Sequence, residues 1–141
     1  MTIGKAGKIG VFRLLENDDL IESVKKKAQE SNIRAGAFIL IGSIKHAVLG
    51  YYRDGEYKNT KFEGPLEVAS CTGNVAVDEK GETVVHAHVV VTNEKGEAFG
   101  GHLMTDSPVG ATAELILIET EAISMMRVFD EKTKLRLLRL G

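Results

Sequence analysis

Two short segments with one shared turn chemistry restrict this chain more than any other feature. Asp78-Glu79-Lys80-Gly81 and Asn93-Glu94-Lys95-Gly96 each carry Asp or Asn at the first turn position and glycine at the fourth. That arrangement suits a type I turn closed by a left-handed glycine. It is the common three-residue hairpin with a bulge at the glycine. The flanking runs 67–77, 83–92 and 98–104 are rich in residues that favour strands, so three antiparallel strands in sequence are expected.

The turns also set the register. If Asn93 pairs with Glu97, then His88 lies opposite His102 and His86 opposite Met104. If Asp78 pairs with Glu82, then Thr72 lies opposite His88 and Asn74 opposite His86. Paired residues share a face, and neighbours along a strand alternate. One face is therefore expected to carry Ser70, Thr72, Asn74, His86, His88, Val90, Gly100, His102 and Met104. Cys71, Val75, Val77, Val85, Ala87, Val89, Val91, Phe99 and Leu103 form the opposite, core face. A slip of one residue would send His102 in among the valines.

The remaining pattern is also mostly β. Further strands are expected over 8–14, 35–44, 47–52, 56–62 and 111–123, with a last piece over 125–129. One principal helix is expected over about 18–31. Asn17-Asp18-Asp19 supplies its start, Asp19 and Glu22 stand at capping-box spacing, and Leu20, Ile21, Val24 and Ala28 recur at helical intervals. Asn32 is its stop. The outcome is an α+β fold with a mainly antiparallel sheet. With 141 residues and no linker or repeat, the chain reads as a single domain over 1–141.

Three imidazoles on adjacent strands of one face bring metal chemistry into view. Cross-strand Cβ atoms lie roughly 4.5–5.5 Å apart, so His86, His88 and His102 can reach a common point. Imidazole is the commonest protein ligand for zinc and also suits iron, nickel and copper. Three histidines with water in the fourth position describe an open zinc site. Thr72 and Asn74 stand where they could anchor free imidazole nitrogens or orient such a water. The alternative is a hydrogen-bonded histidine cluster at a subunit contact, without metal. The expected cofactor is a divalent transition metal, zinc first.

Composition excludes other classes. Cys71 is the only cysteine, so neither an internal disulfide nor a cysteine-cluster metal site is available, and it reads as a small buried apolar residue. The longest apolar stretch, 35–41, is far below the roughly 20 residues a membrane helix needs. The start of the chain alternates Gly and Lys without an apolar signal core, so a cytoplasmic setting is expected. Net charge is −2 with basic residues scattered, which argues against strong DNA affinity by this chain alone.

The stretch Val85-His86-Ala87-His88-Val89-Val90-Val91, then Gly96 and Gly100-Gly101-His102-Leu103, then Ala111-Thr112-Ala113-Glu114, resembles the PPC domain family. This plant-and-prokaryote domain also occurs downstream of AT-hooks in plant nuclear proteins. Phe12-Arg13-Leu14, Gly42-Ser43 and Leu66-Glu67 through Thr72-Gly73-Asn74 fit the same pattern in the same order, so the resemblance covers nearly the whole chain. It implies an α+β fold, a homotrimer, and in prokaryotic members a metal held by histidines, which map here onto His86, His88 and His102. Members are often labelled DNA-binding by analogy, which makes DNA the second expected partner. The chain has no Arg-Gly-Arg-Pro AT-hook to enter a minor groove. The plant members' interaction loop is not recognisable in Met104-Thr105-Asp106-Ser107-Pro108.

A small-molecule ligand is compatible with the histidine face, but no general base, nucleophile or substrate clamp accompanies it, so the sequence assigns no reaction class. Arg13 reads as an ion-pairing residue or an anion contact near the metal. Glu67 becomes a fourth ligand only if a bulge turns it toward the histidines, because simple alternation places it on the other face. Glu114 receives no role. His46 reads as a strand-edge residue, and Tyr51-Tyr52 and Met125-Met126 read as packing residues.

Overall fold

The computed structural model describes residues 2–141. The elements run β1 (Lys5–Leu14), α1 (Leu20–Glu30), β2 (Gly36–Arg53), β3 (Glu56–Asp78), β4 (Thr83–Thr92), β5 (Ala98–Leu103), β6 (Val109–Glu121), β7 (Met125–Asp130) and β8 (Leu135–Leu140). All eight strands join one sheet in the order β1-β6-β2-β5-β4-β3-β7-β8, and β2 also pairs with β3. Every pairing is antiparallel except β3 with β7.

The two glycine-closed turns form as the residue types dictate. Gly81 and Gly96 sit at φ 83° and 75°. The Asp78 carboxylate accepts from the backbone N–H groups of Lys80 and Glu82, and the Asn93 side-chain oxygen does the same for Lys95 and Glu97. Asn93 N–H donates to Glu97 O at 3.2 Å and Asp78 N–H to Glu82 O at 2.9 Å, which closes each hairpin in the expected frame. Thr72 faces His88, Asn74 faces His86, and His88 faces His102.

The runs 35–44 and 47–52 merge into the single strand β2, and 56–62 and 67–77 merge into β3. Register shifts at Leu40/Gly42 and Ile44/His46 bend β2 without ending it, as bulges do. The bend lets the first half of β2 pair with β6 and the second half reach β5 at Leu49 and Gly50. Strands β2, β3, β4 and β5 thereby close into a ring, and the core fills its inner side. Cys71, Val75, Ala87, Val89, Val91 and Leu103 are buried there, with Val85 and Phe99 packed against them.

Helix α1 seals this core with Leu20, Val24 and Ala28, each at most 1% exposed. Burying a Leu or Val side chain fully is worth about 1.5–3 kcal/mol. Asp19 caps the helix by accepting from Glu22 N–H, and its other oxygen accepts from Ser107 N–H. The helix start is thus tied to the segment leading into β6. Asn32, at φ 57°, turns the chain out of the helix.

Strand β8 has no counterpart among the expected elements. It pairs with β7 along its whole length, and β7 runs parallel to the end of β3 beyond the point where β2 begins. Tyr52 holds this C-terminal hairpin by donating its hydroxyl to Thr133 O at 2.6 Å. Its neighbour Tyr51 is 72% exposed in the isolated chain and packs against no core.

A Cβ at Gly96 would meet no atom within 4 Å, so this glycine is required only for its backbone conformation. Gly96→Ala is expected to destabilise by about 1 kcal/mol, the cost of a left-handed L-residue, and Gly96→Asn by less. Urea unfolding should show a lower midpoint with an unchanged slope.

Candidate metal centre

His86 and His88 are two residues apart on β4, with the fully buried Ala87 between them. Alternation therefore aims both imidazoles outward. His102 joins them from β5 by direct pairing with His88. Ring centroids are 4.9 Å apart for His86 and His102, 5.2 Å for His86 and His88, and 5.5 Å for His88 and His102. One nitrogen from each ring lies within 4.8 Å of the other two, so the cluster could hold a metal ion. Three nitrogens at zinc-ligand distance in a tetrahedron are ~3.3 Å apart, which small ring rotations would reach. His86 and His102 are half-buried and His88 is exposed.

The side chains that contact the rings come from elsewhere in the chain. Tyr57, from β3, lies over His102 with centroids 4.5 Å apart and planes inclined by 31°. Its hydroxyl is 3.5 Å from His102 Nδ1, so stacking is the main contact. Arg127, from β7, donates Nη2–H to Asn74 Oδ1 at 2.7 Å and to His86 Nδ1 at 3.0 Å. Asn74 thus holds the guanidinium, while Thr72 stands exposed opposite His88.

The Arg127 contact fixes the state of His86. A neutral imidazole has one N–H and one lone pair. Accepting from Arg127 at Nδ1 places the proton on Nε2. A metal on either nitrogen would use the only lone pair, so this hydrogen bond and metal ligation by His86 exclude one another. Loading the site must move Arg127 off the ring.

Burial and nearby positive charge disfavour protonation of His86 and His102. Burial, then Arg127, then the other two histidines push the His86 pKa down to about 4. His102 is lowered by burial, by His88 and by Arg127. Burial also lowers the pKa of Arg127, against a smaller opposing effect of Tyr57. A free imidazole lone pair is what a metal requires, and at His86 it persists well below neutrality.

The other candidate residues lie apart from this cluster. His46 pairs with Asp106 at 3.3 Å. A bulge between Val68 and Ser70 does bring Glu67 onto the histidine side of the sheet, opposite Thr92. Thr92 is four residues along β4 from His88, about 13 Å at strand rise, which is beyond ligand reach. Arg13 stands opposite Glu114, and both border a groove of about 360 Å³ with Val11, Ile39, Ile41 and Ile116. Cys71 is buried, and burial drives its thiol pKa up to about 12, so it is an inert core residue.

One row of paired residues links the groove to the histidines. Val11 faces Ile116, Ile116 faces Ile39, Ile39 faces Thr72, Thr72 faces His88, and His88 faces His102. Six strands contribute to it.

Fold and site together define a small, mainly antiparallel α+β protein with an outward-facing trio of imidazoles. Residues 1–121 match the Plants and Prokaryotes Conserved (PCC) domain, and the chain belongs to that family. A plant- and prokaryote-conserved protein from Pyrococcus horikoshii superposes with a TM-score of 0.90 and 32% identity, over 97% of this chain and 94% of that one. A metal-containing protein from Archaeoglobus fulgidus gives 0.88 and 30%, over 99% and 98%. A Ralstonia eutropha protein provisionally named as DNA-binding gives 0.79 and 26%, over 93% and 89%. The chain is also 28% identical over 129 residues to the bifunctional protein GlmU of a Synechococcus strain, of which it spans 19% of the length. No helix among the described residues is long and apolar enough to cross a membrane.

The depressed His86 pKa carries a pH signature. An unfolded histidine takes up a proton as pH falls below about 6.5, whereas folded His86 resists until about 4. Proton binding then favours the unfolded chain, so metal-stripped protein should lose stability as pH falls through that window. His86→Gln retains an acceptor for Arg127 and should make the decline shallower in denaturation midpoints measured from pH 7 to 4.

Proposed function

We propose that this chain is a single-domain, homotrimeric PCC protein that holds a divalent transition metal, zinc first, on His86, His88 and His102. The observation that carries the metal reading is the convergence of three imidazoles, with ligand nitrogens within 4.8 Å of one another, on one outward face. The donor set contains nitrogen alone, which suits zinc and its transition-metal neighbours over magnesium or calcium. The Archaeoglobus fulgidus relative is a metal-containing protein, which supports the same reading. Bound in an open three-histidine setting, zinc lowers the pKa of a coordinated water toward neutrality. Tyr57 walls one side of the site, and Asn74 holds Arg127 beside it. Thr72 stands next to His88, within reach of a water there.

Trimer formation draws support from the exposed apolar groove. Val11 is 73% exposed, Ile39 and Ile41 48% each, and Ile116 39%. Apolar side chains grouped in this way on a small sheet mark a contact surface. DNA association is the second reading and draws on the Ralstonia eutropha relative's provisional name. Several exposed cations are already paired, among them Lys45 with Glu16, Lys134 with Glu131, and Arg136 with Glu79. That leaves fewer free charges for phosphates.

Elemental analysis of untagged protein should find about one metal per chain and clearly less in His88→Ala. A competition titration should show the variant's affinity weakened at least about tenfold, because a lost ligand costs well over about 1.4 kcal/mol. Substoichiometric metal in wild type, unchanged by the substitution, would remove the metal reading. Light scattering should give three times the 15.3 kDa chain mass. Ile39→Asp, which places a charge in the contact, should shift that mass toward the monomer.

A further inference from the structure

Arg127 carries an unbalanced charge in an enclosed place. It is 8% exposed and makes no ion pair with a carboxylate among the described residues. Its acceptors are all neutral: Asn74 Oδ1, His86 Nδ1 and the Arg136 backbone oxygen. A guanidinium has five N–H groups, so two are left over, and the buried Nε–H has no partner. Burying a cation without a counter-charge is costly, and an anion that reached this guanidinium would relieve that cost.

The surroundings indicate what kind. Arg127 lines a cavity of about 250 Å³, with His86, His102 and Tyr57 on its polar side. Val84, Val85, Leu135 and Leu137 make up the rest of the wall apart from Arg136. The Arg136 guanidinium is already paired with Glu79, so Arg127 supplies the one unspent charge. A volume at the small end of ligand pockets, apolar walls and a single guanidinium without a counter-charge describe a small organic acid. A phosphate dianion would lack both the donors and the second charge it needs.

We propose that the cavity between the β7–β8 hairpin and the histidine cluster binds a small monocarboxylate with an apolar body, its carboxylate on Arg127 and its body against Val85, Leu135 and Leu137. This goes beyond the metal reading and stands without it, because the guanidinium is unbalanced in the metal-free chain. Arg127 and both walls from β8 lie outside residues 1–121, the part matched by the family domain.

The test uses chelator-treated full-length protein, so that no metal takes part. Isobutyrate, isobutyramide and inorganic phosphate are titrated in turn while the Arg127 Nε–H signal and the methyl signals of Val85 and Leu137 are followed by NMR. Isobutyrate should move all three saturably, and isobutyramide should not. Arg127→Met should weaken the methyl response to isobutyrate at least about tenfold, the cost of losing one ion pair shielded from water. Arg127→Lys should recover part of it. An unmoved spectrum at tens of millimolar isobutyrate would overturn the proposal. So would an equal response to the amide, tighter binding of phosphate, or full binding by a folded Arg127→Met chain. If that variant does not fold, the acid–amide comparison on wild type decides alone. Elemental analysis is independent of every arm, so failure of either reading is recognised separately.

Discussion

Cross-strand pairing between His88 and its two neighbours is the constraint on which the site depends. One residue of slip between β4 and β5 would turn His102 into the core and away from His86 and His88, and a slip between β3 and β4 would take Thr72 and Asn74 off the histidine face. The pairing is held by the two glycine-closed turns, where an Asp or an Asn side chain ties down two backbone N–H groups apiece. The buried side chains Val89, Ala87 and Cys71 hold the same frame from the inner side. Turn chemistry and core burial thus select one register, and the outward imidazoles follow from it.

This explains why the centre of the molecule was legible from its residues. Asp78-Glu79-Lys80-Gly81 and Asn93-Glu94-Lys95-Gly96 state their conformation locally, and register propagates from a turn without further information. Helix α1 was legible for a similar reason, since Asp19 and Asn32 mark its ends and the buried residues recur at its period. The continuous strands β2 and β3 were not. Their bulges depend on closing a ring with β5, a non-local demand that local turn residues express only as interruptions.

Strand β8 and Arg127 escaped for a different reason. Leu135-Arg136-Leu137-Leu138-Arg139-Leu140 consists of residues with good helix propensity and no alternation, and only pairing with β7 makes it a strand. Arg127 belongs to no motif, and it reaches Asn74 and His86 only because β7 docks in parallel beside the end of β3. A buried cation between neutral acceptors is a tertiary fact. The nearest signal was Asn74 itself, a polar side chain on the histidine face whose oxygen needed a donor.

The row from Val11 through Ile39 and Thr72 to His102 joins two regions that would otherwise be treated separately. Ile39 and His88 are two strands apart, about 10 Å at the usual strand spacing. A partner that covers Ile39 and Ile116 and reaches two strand spacings further would also overhang His88, the most exposed of the three rings. Bulk water beside that ring would give way to a low-dielectric wall, its rotamers would narrow, and exchange of whatever it binds would slow. Reactivity at the imidazoles is in this sense a collective property of the outer sheet, set as much by what shelters its aliphatic end as by the rings themselves.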